Sequence, residues 1–318
     1  MKAIQMAAPG GPDVLKYVDL PTPKPGPGEV LVKAHAIGVC MPEIYVRQGV
    51  YAWMPPMPAI PGIEMSGTVV ETGAGCKKLD VGQKVFVCAR EFEQRANCYA
   101  EYIAGPEDRI YPVPDGVDLD QAAGLANYQV AWHLLNSALK GFQYESVLIV
   151  AAAGGVGTAL VQLAKAYGKR VIGVVSSPER AAFVRAQGVQ DIIDRKAGNQ
   201  FEQAMKLTQG KGVDLIIDCV GGPNMTQWFD VLERFGMLLL YGRIEGKPGG
   251  DIHDAIHKKP WRSGAFRYFT MHTLDDWPEL RAKCTLDLLR LLKEGAIEVP
   301  IYERVPLAEA PRAHRLFE

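Results

Sequence analysis

The sequence predicts an α/β protein in which a β-rich first domain precedes a doubly wound parallel sheet. Three observations carry that prediction. A chain of 318 residues exceeds one ordinary core, which favours two domains. Its first 120 or so residues hold short apolar runs broken by Pro and Gly, as in residues 21–28 and 55–62. From near Gln121 onward, strand patterns alternate with helix patterns, and such alternation implies a parallel sheet covered on both faces.

Taken in order, residues 29–37, 65–71 and 84–88 read as strands, and their spacing suggests a barrel-like or sandwich domain. Residues 122–139 are apolar at helical spacing. Strands are then expected at 146–151, 170–175, 191–194, 213–219 and 237–241. Helices are expected between them at 156–167, 178–187, 201–208 and 225–234, the first two ending at Gly168 and Gly188. A helix at 278–294 should bury a stripe of Leu280, Leu286, Leu289 and Leu292, and residues 298–305 follow it.

Composition narrows the function classes. Apolar residues make up 48% and charged residues 22% of a chain whose net charge is −1. That is the profile of a soluble globular protein with no basic surface for nucleic acid or an anionic membrane. The opening residues 1–6 run at once into Pro9-Gly10-Gly11-Pro12, too short an apolar run for a targeting segment, so a cytoplasmic location is expected. Six scattered cysteines contain no C-x-x-C pair and read as free thiols.

The most specific local signal is the apolar strand from Val147 that turns through Ala151-Ala152-Ala153-Gly154-Gly155-Val156-Gly157 into a helix. Against G-x-G-x-x-G, Ala152 takes the first glycine slot, Gly154 lets the backbone approach a pyrophosphate, and Gly157 lets helix and strand pack closely. The helix N-terminus then presents amides and a favourable dipole to phosphate. With a strand before it and a helix after it, this is the dinucleotide turn of a Rossmann domain.

An NAD site usually carries an acidic residue at the end of the second strand to hold the ribose 2′-hydroxyl. Here that slot is Ser176, followed by Ser177, Pro178, Glu179 and Arg180. Two hydroxyls and a guanidinium suit a 2′-phosphate, with Arg195 after the third strand on the same side, so NADPH is the expected cofactor. Two alternatives stay open: Ser177 and Pro178 simply cap a helix, or Glu179 reaches the ribose.

Several further motifs extend over nearly the whole chain. They are Gly10-Gly11-Pro12-Asp13-Val14-Leu15, Pro27-Gly28-Glu29-Val30, Ile37-Gly38-Val39, and Pro61-Gly62-Ile63-Glu64-Met65-Ser66-Gly67-Thr68-Val69. Asp218-Cys219-Val220-Gly221 and Tyr241-Gly242 follow the dinucleotide turn. Together they resemble the medium-chain dehydrogenase/reductase superfamily, and within it the zinc-independent quinone oxidoreductase (zeta-crystallin-like) branch. The resemblance implies a GroES-like domain at residues 1–121 plus 263–318, with a Rossmann domain at 122–262. It implies cofactor bound between the domains, with Val220, Gly221, Tyr241, Gly242 and Gln129 near the nicotinamide half. A homodimer paired through an edge strand at 263–269 is implied as well. So are a Gly-Lys turn and a final strand after the helix at 307–317, and the sequence given ends at Glu318.

Zinc-dependent relatives are the main rival. Cys40 stands where their first catalytic ligand sits, but the His of their Gly-His-Glu motif is Ile63 here. The third position falls in Leu125-Ala126-Asn127-Tyr128, which offers no Cys, Asp or Glu. A catalytic zinc needs three protein ligands, so no metal is expected. Cys40 is then either an inert buried thiol or a substrate contact.

Without metal, the resemblance assigns the acceptor site to the segment from Cys40 to Tyr51, with Glu43, Tyr45 and Tyr51 at its acidic and two aromatic positions. Tyr51 matches a tyrosine that donates to the substrate carbonyl in related enoyl thioester reductases, and Tyr45 a cofactor contact. The alternative is that both rings merely pack under the loop at 53–58. The six histidines suggest no proton relay, and His133 reads as structural. The expected function is hydride transfer from NADPH to a small apolar acceptor, a quinone or an α,β-unsaturated carbonyl compound. Enoyl thioester reduction and a non-catalytic, crystallin-like NADPH-binding protein are the alternatives.

Overall fold

A computed structural model describes all residues, Met1–Glu318, as two compact units. The first comprises Met1–Gln129 with Leu274–Glu318, the second Val130–Thr273. Both boundaries fall later than expected. Residues 263–269 supply a strand to the second unit's sheet, so the cut must follow them.

The first unit opens with a two-stranded ribbon of β1 (Lys2–Gln5) and β2 (Lys16–Asp19). Next come β3 (Glu29–Ile37), helix α1 (Met41–Gln48), β4 (Glu64–Thr72), β5 (Lys84–Cys88), β6 (Tyr102–Pro106) and β7 (Ile110–Pro112). The five strands after the ribbon form one antiparallel sheet in the order β6-β3-β4-β5-β7. Alternate residues such as Val30, Val32, Met65, Val85 and Val87 fill its core, as the period of two requires. Gly67 lies in β4 because a Cβ there would stand 2.2 Å from the Lys33 carbonyl of β3.

The expected continuous helix over 122–139 is two helices, α2 (Leu119–Ala122) and α3 (Ala126–Leu135). The break follows from Glu64, whose Oε2 accepts the Ala126 amide at 2.6 Å. It also follows from Gly124, where a Cβ would meet Val299 Cγ1 at 2.7 Å.

The second unit alternates strands and helices. In chain order they are β8 (Ser146–Val150), α4 (Gly155–Ala166), β9 (Arg170–Val175), α5 (Pro178–Ala186), β10 (Asp191–Asp194), α6 (Gln200–Leu207) and β11 (Val213–Asp218). β12 (Leu232–Leu240), α7 (Ile252–His257) and β13 (Ala265–Tyr268) complete it. All six strands are parallel, in the order β10-β9-β8-β11-β12-β13. Numbered within the sheet this is 3-2-1-4-5-6, the dinucleotide-binding order, with its switch point between β8 and β11. The expected helix over 225–234 is a 3₁₀ segment, Met225–Asp230, and β12 begins earlier than expected.

Helices α8 (Pro278–Lys293) and α9 (Ala310–Phe317) return to the first unit. The expected leucine stripe on α8 is displaced. Leu286 is 50% exposed, and Arg281, Cys284, Thr285, Leu288 and Leu289 face inward. Residues 298–305 form no regular element. No helix of the protein is long and apolar enough to cross a membrane.

A buried polar knot ties α1 to α9. Arg47 Nε donates to His314 Nδ1 at 3.2 Å and its Nη1 to the Gly10 carbonyl at 2.8 Å, while Nη2 pairs with Glu318. The other ring nitrogen of His314 lies 3.1 Å from the Tyr99 hydroxyl. Burial first, and then the Arg47 cation, push the His314 pKa down to about 4. The unfolded chain binds a proton near pH 6.5 that the folded chain refuses until about pH 4. Stability contributed by neutral His314 is therefore present above pH 6.5 and is lost as pH falls, by roughly 3 kcal/mol in full. Urea titrations at pH 7 and pH 4.5 should show this loss in the wild type and a smaller one in His314→Gln. Equal losses in the two proteins would remove His314 from the account.

Candidate active site

The glycine turn lies at the carboxyl end of β8, beside the switch point of the sheet. Ala151 adopts φ 58, and Ala152 is fully buried with its amide on the Val174 carbonyl at 3.0 Å. Gly154 is the N-cap of α4, and no side chain caps this terminus. The first backbone bond after it is Thr158 N to Gly154 O at 2.7 Å, so the amides of Gly155, Val156 and Gly157 have no intrahelical acceptor. A Cβ at Gly157 would lie 2.2 Å from the Ala151 carbonyl oxygen, which forbids any side chain there. Gly154 has a less crowded site, 3.3 Å from the same oxygen.

At the end of β9 the structure brings Ser176 and Arg180 together, with Arg180 Nη1 donating to Ser176 Oγ at 2.7 Å on an exposed face. Ser177 is the N-cap of α5 and accepts the Arg180 amide at 3.3 Å. The cap that the sequence left as an alternative is thus present alongside the Ser–Arg pair. A hydrogen bond from Ser177 holds the Glu179 carboxyl below its ordinary pKa. Arg195 follows β10, with its amide on the Val175 carbonyl at 3.0 Å and its guanidinium on Glu245 at 2.6 Å.

Beyond β11, Asp218 folds its carboxylate back onto the chain, where Oδ1 accepts the amides of Val220 at 2.6 Å and Gly221 at 3.3 Å. Its Oδ2 is buried without a partner, and burial pushes the pKa up to about 6 against the pull of those two amides. Gly242 packs on the same turn, since a Cβ there would stand 2.5 Å from the Cys219 carbonyl oxygen. Burial, with Cys219 beside it, raises the pKa of the Tyr241 hydroxyl. A cavity of about 300 Å³ opens at these strand ends within the second unit. Val150, Arg195, Asp218, Val220 and Gly221 line it, together with Lys196, which the sequence reading passed over. A second basic residue directly after the strand-end Arg195 was the available signal for it.

In the first unit, Cys40 caps α1. Its amide donates to Glu43 Oε2 at 3.1 Å, and its Sγ to Glu64 Oε1 at 3.7 Å. Burial, reinforced by Glu43 and Glu64, keeps it a thiol. Glu43 also accepts the Ile63 amide at 2.9 Å. Burial pushes Glu64 up to about 8, although the Ala126 amide opposes the shift. Tyr45 lies exposed on α1, whereas Tyr51 is half-buried with its ring 6.1 Å from that of Trp53. Burial raises the Tyr51 pKa, with the cations of Arg90 and Arg95 opposing. Gln129 is buried within the first unit. Its Oε1 accepts from Cys88 Sγ at 3.2 Å and its Nε2 donates to Thr285 at 2.8 Å.

A catalytic zinc does not fit these residues. Cys40, Ile63 and Ala126, the last from the stretch 125–128 where the third ligand was expected, pack against one another in one cluster, and two of the three are hydrocarbon. The neighbouring carboxylates Glu43 and Glu64 already accept the Ile63 and Ala126 amides.

Residues 26–115 match the family model of the alcohol dehydrogenase GroES-like domain, and residues 155–284 that of the zinc-binding dehydrogenases. A quinone oxidoreductase of Pseudomonas aeruginosa is 34% identical over 320 residues, covering 98% of this chain and 94% of the relative. A solved structure of Escherichia coli quinone oxidoreductase complexed with NADPH superposes with a TM-score of 0.86 at 27% identity, over 99% of this chain and 96% of that one. A 2-haloacrylate reductase structure gives a TM-score of 0.84 at 28% identity, over 99% and 95%. Fold and site together define a medium-chain dehydrogenase/reductase. Within that superfamily, the chain belongs to the zinc-independent quinone oxidoreductase branch.

Proposed function

We propose that the protein is an NADPH-dependent, zinc-independent reductase of quinones or α,β-unsaturated carbonyl compounds. The observation that carries this reading is the Ser176–Arg180 pair at the end of β9, on the sheet that also bears an uncapped glycine turn. The amides of Gly155, Val156 and Gly157 hold the pyrophosphate, and Ser176 with Arg180 holds the 2′-phosphate. Reduced nicotinamide, when bound, supplies the hydride. The Tyr51 hydroxyl, kept protonated by burial, donates to the acceptor carbonyl and stabilises the negative charge that develops on its oxygen. Tyr45 and Val220–Gly221 position cofactor, and solvent supplies the final proton.

Arg180→Glu tests the cofactor assignment. It replaces a phosphate-binding cation with a like charge, so NADPH affinity should fall on the order of 100-fold while NADH affinity changes little. Calorimetric titration of both cofactors checks this, and unchanged NADPH affinity would remove Arg180 from the site. A panel of quinones, enones and enoyl thioesters then reads the acceptor class. Tight NADPH binding without oxidation by any of them would favour the non-catalytic alternative. β13 pairs only with β12 and leaves an open sheet edge, which supports a homodimer joined through that edge. All six cysteines are free thiols, which suits a cytoplasmic location.

A further inference from the structure

The first unit holds a cavity of about 150 Å³ that the steps above do not use. Four guanidinium groups border it, those of Arg90, Arg95, Arg109 and Arg281. Three of them have carboxylate neighbours. Arg95 and Arg281 both donate to Asp275, at 2.7 and 2.5 Å, and Arg109 Nε lies 3.6 Å from Asp108. Arg90 has none. It is 6% exposed, and its Nη1 is buried without a hydrogen-bond partner. A guanidinium stays charged at any physiological pH, so burying it unpaired is costly unless an anion completes the site.

The buried acids nearby do not discharge it. Glu43 is engaged by the Cys40 and Ile63 amides and Glu64 by that of Ala126. Glu64, pushed up to about 8 by burial, is largely neutral at pH 7. On the cavity wall, Glu91 takes the Tyr111 hydroxyl on Oε2 at 2.6 Å and leaves Oε1 buried without a partner. Burial also raises the Glu91 pKa, with the Tyr111 hydrogen bond and the neighbouring arginines opposing the shift. Among the four arginines on the lining only Arg90 lacks a carboxylate at ion-pair distance, which leaves one unpaired positive charge. That matches a carboxylate and not a phosphate dianion.

The cavity wall is linked to Tyr51 through Arg95 and Trp53. The Arg95 guanidinium lies 5.4 Å from the Trp53 ring centroid, and Trp53 is the ring neighbour of Tyr51. We propose that Arg90 and its cavity hold the carboxylate of an anionic acceptor, so that the enzyme prefers quinones or enones bearing an acid group to their neutral counterparts. The preference rests on the reductase reading, whereas carboxylate binding at Arg90 can be measured without it.

The test pairs binding with kinetics. Benzoate is titrated into wild type and Arg90→Gln at constant ionic strength, followed by calorimetry and thermal unfolding, and an α,β-unsaturated acid is compared with its methyl ester as acceptor. Benzoate should bind and raise the melting temperature of wild type and do neither in Arg90→Gln. Wild type should favour acid over ester by roughly 30-fold in kcat/KM, and the ratio should fall toward one in the variant. Since Arg90 Nη1 has no hydrogen-bond partner to lose, Arg90→Gln should fold, and Arg90→Lys, which keeps the charge, should retain part of the preference. Equal benzoate responses in the two proteins, or no preference for the acid in wild type, would overturn the proposal. If neither acceptor oxidises NADPH while benzoate still requires Arg90, the reductase reading fails and the carboxylate site stands.

Discussion

Arg47→Met should lower the unfolding free energy by about 3–5 kcal/mol, among the largest losses available to a single substitution in this chain. The side chain is buried, and its three guanidinium nitrogens each have a different partner: His314, the Gly10 carbonyl and Glu318. Methionine keeps much of the volume but removes every donor. It leaves His314 Nδ1 and the Gly10 carbonyl without their donor, and desolvated groups in that state carry the full penalty. Glu318 contributes less, because it is partly exposed and can rehydrate. Arg47→Lys should recover only a minor part, since an ammonium cannot serve three acceptors arranged around a planar fork. Urea titration at pH 7 checks both variants. A loss under 1 kcal/mol for the methionine variant would mean that the knot contributes little. α1 is capped by Cys40 and carries Tyr45, so loosening its anchor should raise KM for NADPH before it changes kcat.

The parts legible in the sequence were those fixed by neighbours in the chain. Strands β3, β5, β9 and β10 end where alternation and turn residues place them, and the glycine turn was readable because its steric demand lies within seven residues. Ser176 and Arg180 are four apart on one helical start, so their meeting was also a local matter. Elements set by distant contacts were less readable. Met225, Trp228 and Phe229 are buried at helical spacing, which imitates an α-helix. Phe235, at φ 61, breaks the alternation that would have shown β12 starting at Leu232. On α8, Arg281 and Thr285 point inward because Asp275 and Gln129 meet them there, and no apolar pattern records such pairings. Arg90 was invisible for a related reason. A buried charge is noticed only when the partner it lacks can be counted.

Gly157→Ala should reduce NADPH affinity by at least about 100-fold, near 2.7 kcal/mol, and should also destabilise the second unit. The added Cβ would sit 2.2 Å from the Ala151 carbonyl oxygen and 2.9 Å from the backbone carbonyl carbon of Ala152. No rotamer relieves a clash with backbone, so α4 must move away from β8 or the turn must unwind. The turn has little room to give, because the Ala152 amide is bound to Val174 of β9 and Ala151 already adopts a left-handed φ. Moving α4 shifts the three amides that would meet the pyrophosphate, and their dipole with them. Gly154→Ala separates the two consequences. Its Cβ would lie 3.3 Å from the Ala151 oxygen, so the fold should tolerate it, yet the methyl would stand where the backbone must approach phosphate. Melting temperature and calorimetric NADPH titration, measured together, should therefore show both quantities fall in Gly157→Ala and affinity alone fall in Gly154→Ala. If Gly154→Ala binds NADPH as wild type does, the pyrophosphate does not cross this turn, and the glycines serve only to pack α4 against β8.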